Sequence, residues 1–438
     1  MSLPTYPQYK DSGVAWLGQV PAHWGIARLK FAATVQTGIA KGKDNAGKDT
    51  IEVPYLRVAN VQDGFLVLDD VAKIDVPREV LPRYRLQVGD VLMNEGGDFD
   101  KLGRGCIWRG EIDECIHQNH VFAVRPTSVS SEWLNAVTSS AYAQFYFMTR
   151  AKQSTNLASI SSTNIMELPL VLPPRIEQSS ILQFLDRETG KIDALIAEQE
   201  QLLTLLAEKR QATISHAVTR GLNPNAPMKD SGLASLGEVP AHWEVGAIKR
   251  FFTSLDGKRI PLSAEERGGR QGEFPYYGAS GVIDFVDEYI FDEDLVLVSE
   301  DGANLLNRST PIAFVAAGKY WVNNHAHILK PIDGNLSFWA ERIEALDLAP
   351  VVTGSAQPKL TIEALMNLVI AAPPTSDERA AIATFISTEA AKLDALHIEA
   401  KRAIALLKER RSALIAAAVT GKIDVRGAVA HQQEELAA

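Results

Sequence analysis

The sequence predicts an α+β protein made of two copies of one plan, each copy a mixed body closed by a long helix. Three observations predict it: a fifteen-residue phrase stated twice, further matches that keep their order along the chain, and two proline-free stretches with a seven-residue apolar step. The phrase is KDSGVAWLGQVPAHW at Lys10–Trp24 and KDSGLASLGEVPAHW at Lys229–Trp243, identical at 12 of 15 positions and 219 residues apart. VLMNEGG (Val91–Gly97) returns as VLVSEDG (Val296–Gly302), and HQNHVFAVRP (His117–Pro126) as VNNHAHILKP (Val322–Pro331), both 205 residues on. LPPRIEQ (Leu172–Gln178) answers APPTSDE (Ala372–Glu378), and EKRQATISHAVT (Glu208–Thr219) answers ERRSALIAAAVT (Glu409–Thr420), at offsets of 200 and 201. A period of about 200 residues is a tandem duplication, not a short-repeat solenoid.

Taken in order, each copy opens with the phrase, whose turn residues and shared closing Trp (Trp24, Trp243) suit a plug between body and helix better than a DNA contact. Short apolar runs bounded by Gly, Asp and Pro then read as strands: VPYLRVANV, DVLMNEG and HVFAVRP in the first copy, DLVLVSEDG, PIAFVAA and HAHILKP in the second. Ser131–Ala151 has the apolar spacing of a helix. After Pro173-Pro174 a helix is predicted over Ile176–Thr219, with Leu185, Ile192 and Leu206 on one seam and Leu195 and Leu202 on an intermediate one. Ile386, Leu393, Ala400, Leu407 and Leu414 repeat the seven-residue step, so the two helices are expected to pack on each other. Thr219–Gly232 carries Gly, Asn and two prolines and reads as a linker. The boundaries are 1–172 for the first body (opening segment 10–24), 173–221 for its helix, 222–371 for the second body (opening segment 229–243), 372–425 for its helix, and 426–438 for a fraying tail.

Composition narrows the function. The chain has 438 residues, 46% hydrophobic and 22% charged, and no apolar run near the ~20 residues of a membrane span. Its start lacks the basic and apolar regions of a secretory signal. Cys106 and Cys115 are therefore expected to be reduced thiols in a cytoplasmic protein. A net charge of −10 argues against gripping nucleic acid by bulk electrostatics, and residues 244–363 hold 18 Asp/Glu against 11 Lys/Arg. Any DNA surface must then be local, or the missing positive charge must come from a partner.

Catalytic motifs are missing. There is no phosphate loop, since LDGKRI (Leu255–Ile260) has a Gly-Lys pair alone, and GGDFDKLGRG (Gly96–Gly105) is wrongly spaced for a dinucleotide. The double prolines in LPPR and APPT lack the flanking residues of an amino-methyltransferase step. His325 and His327 stand at i and i+2 without a supporting Cys or carboxylate cluster, and no metal site is expected. The candidates for DNA contact are Lys41, Lys43 and Lys48 on a Gly-rich loop, and Lys258, Arg259, Arg267 and Arg270 at the matching place in the second copy. Near the shared strand ends they are Asn94, Lys101, Arg104, Gln118, Asn119 and His120, answered by Asn304, Asn307, Arg308, Asn323, Asn324 and His325. These are the residue types that read base edges in the major groove.

The opening phrase and its copy, LPPRIEQSSILQFLDRETGKIDALI (Leu172–Ile196) and LLKERRSALIAAAVTGKIDV (Leu406–Val425) together resemble the specificity subunits of type I restriction–modification systems, over essentially the whole chain. The resemblance implies two target-recognition domains separated by two antiparallel coiled-coil spacer helices, with pseudo-twofold symmetry. It implies that each domain reads one half of a split double-stranded DNA target, and that the helices set the gap and dock two methyltransferase subunits. It further implies S-adenosylmethionine on those subunits, ATP and Mg on partner restriction motor-nuclease subunits, and no cofactor or active site on this chain. A fused enzyme would need a methyltransferase or nuclease motif. A free-standing bipartite DNA-binding regulator and a structural scaffold remain the alternatives.

Overall fold

The computed structural model describes residues 4–428 apart from 43–46, 98, 100–101, 154–157 and 355–356. The chain divides into two compact units, residues 1–199 with 402–438, and residues 200–401. The division runs through both long helices, so each unit holds a half of each.

The helices are Arg175–Arg220, 46 residues, and Ser376–Val419, 44 residues. Each begins just past its double proline. Each ends where a glycine takes the left-handed conformation, Gly221 at φ 77° and Gly421 at φ 72°. On the seam Leu185, Ile192, Leu206, Ile386, Leu393 and Ala400 are buried, while Leu195 and Leu202 stay 46% and 38% exposed. The expected intermediate seam is thus corrected: a helix with one helical neighbour buries one stripe, and the next stripe faces solvent.

In the first unit a hairpin, Tyr9–Asp11 with Gln19–Pro21, precedes strand Gly25–Arg28, which pairs antiparallel with Pro169–Leu172 directly before the long helix. The main sheet is antiparallel in the order Ala33–Thr37, Val121–Pro126, Val91–Asn94, Gly105–Ile107. Val91, Leu92 and Met93 are all fully buried, as the unbroken apolar run requires of a strand covered on both faces. A three-stranded sheet, Ile116–His117, Thr50–Leu56 and Ala72–Pro77, stands beside it. The predicted helix over Ser131–Ala151 is two, Ser131–Thr138 and Ala141–Arg150, because the Ser140 hydroxyl caps the second by accepting the Ala143 N–H. The core joins Trp24, Trp133 and Phe147 to Leu185 of the first long helix and Ile415, Ala418 and Val419 of the second. The two segments run in opposite directions: Glu177 lies by Arg426 (3.9 Å), and Asp193 pairs with Arg411 (2.8 Å).

The second unit repeats this plan. Glu244–Ala247 pairs with Val369–Ala372, and the main sheet runs Phe252–Ser254, Ala326–Pro331, Leu295–Ser299, Ala313–Ala316. A second four-stranded sheet, Gly281–Val286, Gln271–Gly278, Lys319–Val322 and Phe291–Asp292, takes the place of the three-stranded one. Ile214 and Val218 share its core with Ile382 and Ile386, and Arg210 pairs with Asp394 at 3.5 Å, the same ion pair 201 residues on.

The repeated phrase is the joint in both units. Trp24 is fully buried and donates from Nε1 to Glu177 Oε2 (3.0 Å), and His23 Nε2 lies 2.6 Å from Glu177 Oε1. Trp243 donates to Glu378 (3.0 Å), with His242 Nε2 at 3.0 Å from the same carboxylate. Each glutamate stands in the first turn of its helix, where a negative charge also suits the helix dipole. Gly421 closes on Pro21 and Trp24 so tightly that a β-carbon would lie 2.3 Å from the Pro21 ring. The first joint has additional contacts. Tyr6 donates to Glu177 (3.3 Å) and the Arg426 guanidinium sits 4.8 Å from the Tyr6 ring centre, whereas Asn225 stands at the position matching Tyr6. Of the tail expected to fray from 426, the start is held, since the Arg426 guanidinium pairs with Asp424 at 2.6 Å and Ala428 packs against the first unit's core, while residues 429–438 lie outside the described residues.

Candidate nucleic-acid interface

Both main sheets end in the same set of loops. In the first unit the Glu95 N–H donates to the His120 carbonyl (2.9 Å) and the Glu95 carbonyl accepts from the Ile160 N–H (2.8 Å). In the second, the Glu300 N–H donates to the His325 carbonyl (2.9 Å) and the Glu300 carbonyl accepts from the Leu360 N–H (2.8 Å). The polar segments singled out in the sequence, Gln118–His120 and Asn323–His325, are therefore brought to matching sheet ends by matching backbone hydrogen bonds.

Within the first unit Lys41 and Lys48 are exposed and line a cavity of about 680 Å³ with Lys73 and Tyr84. Lys43 and Lys101 lie outside the described residues. Asn94 is a correction: it is 1% exposed, and its side chain donates to the Val61 carbonyl (2.9 Å), so it pins a loop from inside. Arg104 is half-buried and its carbonyl accepts from Asn94 N–H (3.0 Å). Gln118 accepts from Val58 N–H (3.4 Å), half-buried Asn119 lies 3.2 Å from His120, and exposed His120 pairs with Glu95 (2.7 Å).

In the second unit Lys258, Asn307 and Asn324 are exposed, as is His325, which pairs with Asp301 at 2.7 Å. The other candidates are committed to the protein. Asn323 is 5% exposed and caps His325 N–H (2.8 Å), and Arg308 donates to the carbonyls of Glu344 and Leu346; both correct the expectation of a free reader. Asn304 closes its own loop through Thr310 (2.9 Å). Arg267 holds Asp284 (3.0 Å) and stacks 5.1 Å over Tyr276, and Arg270 holds Asp287 (3.0 Å) and Glu288 (2.6 Å) over Trp321. Arg259 reaches Glu300 (2.6 Å), Asp256 (3.2 Å) and the Ala326 carbonyl (3.0 Å). These three arginines brace the loops beside the sheet end. Sequence reasoning missed Lys359, 53% exposed and 3.2 Å from Glu300; the lone lysine of SAQPKL gave no signal.

One group of donor atoms, on Asp256, Glu300 and His327, gathers within 4.8 Å among the described residues. Arg259, Lys359 and the Leu360 carbonyl already satisfy it, which makes it an ion-pair network. Burial pushes the Asp256 carboxyl up, but the His327 and Ile328 hydrogen bonds and the Arg259 charge outweigh it and hold it below the ordinary carboxylate value. Glu300 is held down in the same way, against burial, by Arg259, His327 and Lys359. A depressed folded-state pKa gives stability that is present above the ordinary value of about 4 and lost as pH falls through the folded one. The urea midpoint of the second unit is therefore expected to drop steeply below about pH 4, and Glu300→Gln to flatten that acid limb. Cys106 and Cys115 are buried free thiols, each pushed up to about 12 by burial, consistent with inert core residues.

Fold and loops together define a duplicated, two-unit protein whose polar loop clusters are carried on shared helices. Residues 240–404 match the family described as type I restriction modification DNA specificity domain. The chain is 25% identical over 258 residues to the MjaX type I restriction enzyme specificity subunit of Methanocaldococcus jannaschii, covering 58% of this chain and 59% of the relative. It is 22% identical over 250 residues to the EcoKI specificity subunit of Escherichia coli, covering 56% and 53%. The chain thus spans between half and three-fifths of these relatives' lengths. Its fold matches a chain from a study of assembly and conformational transition in a type I restriction–modification system, with a TM-score of 0.61, 16% identity and coverage of 91% and 98%. It also matches the HsdS subunit of Thermoanaerobacter tengcongensis, with a TM-score of 0.50, 16% identity and coverage of 92% and 98%. Residues 240–404 thus match a type I restriction modification DNA specificity domain, and the fold of the whole chain is that of the HsdS subunit. Among the described residues no helix is long and apolar enough to cross a membrane.

Proposed function

We propose that this chain is the DNA-reading subunit of a type I restriction–modification complex, each unit reading one half of a bipartite double-stranded target. The observation that carries this is the duplicated loop cluster at the sheet end, built on one backbone pattern but bearing different side chains in the two units. Two readers of one design with unlike surfaces suit two unlike half-sites. The long helices set the unread gap and dock two methyltransferase subunits that bring S-adenosylmethionine and methylate an adenine in each half. Motor-nuclease subunits with ATP and Mg join the same complex in the cytoplasm. This chain supplies recognition and no chemistry of its own.

Docking on the helices is supported by leucines left in solvent at matching positions. Leu195 (46% exposed) and Leu406 (57%) lie in the first unit, Leu205 (51%) and Leu396 (54%) in the second, and each of Leu195 and Leu205 recurs 201 residues on. Exposed apolar side chains repeated in this way mark surface that a partner covers. The paired change Leu195→Asp with Leu406→Asp is expected to weaken methyltransferase capture at least tenfold in a pull-down, with the thermal midpoint of the free chain unmoved.

The functional test is to map adenine methylation in the host genome with and without the gene. Loss of one bipartite motif is the expected result. An unchanged pattern in a strain with active partner subunits overturns the reading.

A further inference from the structure

The two loop clusters differ in one respect that bears on how each reads DNA. In the second unit a buried charge network runs beneath the cluster. His327 is 1% exposed, with Nδ1 2.6 Å from Asp256 and Nε2 2.9 Å from the Leu360 carbonyl, so both ring nitrogens face acceptors. Arg259 bridges Asp256 and Glu300 and binds the carbonyls of Asn324 (3.3 Å) and Ala326 (3.0 Å). Glu300 also holds Lys359 (3.2 Å). Among the described residues of the first unit there is no such network, and Glu95, at the position of Glu300, pairs with His120 instead. Thr37 and Phe122, a cross-strand pair, occupy the positions of Asp256 and His327, and Ser159 occupies that of Lys359.

Burying charges is costly, and a network of this kind contributes little net stability compared with well-packed apolar groups of similar volume. Its yield is position. Two carboxylates face two cations and a histidine, so the group offers little free charge to a phosphate. It does offer donors held in fixed places. A donor held by a buried acceptor is suited to a base edge, where geometry decides, more than to a backbone oxygen, where charge decides. The unit's excess of acidic residues points the same way, since phosphate attraction is weak there.

We propose that Lys359 is a base-reading residue of the second unit, aimed with the Asn324–His325 turn at the guanine N7 and O6 acceptors of the major groove, and that Glu300, Arg259 and His327 are its positioning residues. This rests on the reading of the chain as a DNA-specificity subunit. The first unit reads without such a network, so discrimination at the two half-sites depends on different chemistry.

The test uses the full chain assembled with its methyltransferase partners, and duplexes carrying the mapped target with single base-pair changes in either half. Lys359→Ser installs the first unit's residue at an exposed position and leaves the fold intact. It is expected to cut discrimination against a changed G·C pair in one half-site at least tenfold and to leave the other half-site unaffected. Lys359→Arg, which keeps a donor for N7 and O6, should restore most of it. Glu300→Gln should reduce the same discrimination with Lys359 present. A uniform loss over all duplexes with a shallower salt dependence would make Lys359 a phosphate contact and overturn the proposal. Unchanged discrimination with Lys359→Ser would overturn it too. A wild-type complex without sequence preference would instead sink the functional reading itself.

Discussion

Replacing Trp243 by alanine is expected to cost about 3–5 kcal/mol, enough to unfold much of the second unit at modest urea concentrations. The ring is 1% exposed, belongs to the core with Ile214, Val218 and Ile382, and carries the N–H that binds Glu378. Removing it leaves a cavity and reduces the partners of a helix-capping carboxylate to His242. Trp243→Phe separates the two terms: it keeps most of the volume and loses only the hydrogen bond to a charged acceptor, about 1.5–3 kcal/mol. The same change at Trp24 should cost less than at Trp243, because Tyr6 and Arg426 remain on Glu177. Urea unfolding followed by hydrogen exchange, segment by segment, checks all three. Equal costs at Trp24 and Trp243 would show that the added contacts of the first joint carry no weight.

Ending the chain at Lys401 is expected to unfold the first unit while the second keeps its exchange protection. Residues 402–438 belong to the first unit, and Ile415, Val419 and Val425 lie in its core. Each such side chain contributes about 1.5–3 kcal/mol when fully buried. Their joint loss is comparable with the 5–15 kcal/mol that holds a typical domain together. The truncation also removes Arg411 from Asp193 and Gly421 from the Trp24 joint. Limited proteolysis should then cut within residues 1–199 and spare 200–401. Cleavage confined to the second unit would contradict this assignment of the core.

Much of this was legible in the chain itself because duplication marks what the fold reuses. The matching offsets identify the helices, the sheet strands and the plug role of the opening phrase without any knowledge of contacts. The acceptors of that plug were less visible. Glu177 and Glu378 lie more than 130 residues from their tryptophans in sequence, and only their recurrence inside the double-proline segment hinted at a shared task. The loop residues were hardest to read, since a polar side chain at a strand end has the same composition whether it faces solvent or the interior. Asn94 and Asn323 turned inward to satisfy backbone groups, and Arg259, Arg267 and Arg270 were drawn into ion pairs by carboxylates that no local pattern places beside them. Leu195 and Leu202 fit a seam by spacing and yet face solvent, because heptad spacing gives the stripe but not how many neighbours the helix has.

The first unit is completed by the last described segment of the chain, and this fixes an order of events during synthesis. When residue 401 has left the ribosome every part of the second unit exists, and it is free to fold as a contiguous piece. The first unit, begun earlier, must wait with Trp24, Trp133 and Phe147 short of their partners until residues 415–425 emerge. The half translated first is therefore the half completed last, its apolar core short of residues 415–425 until the end of synthesis.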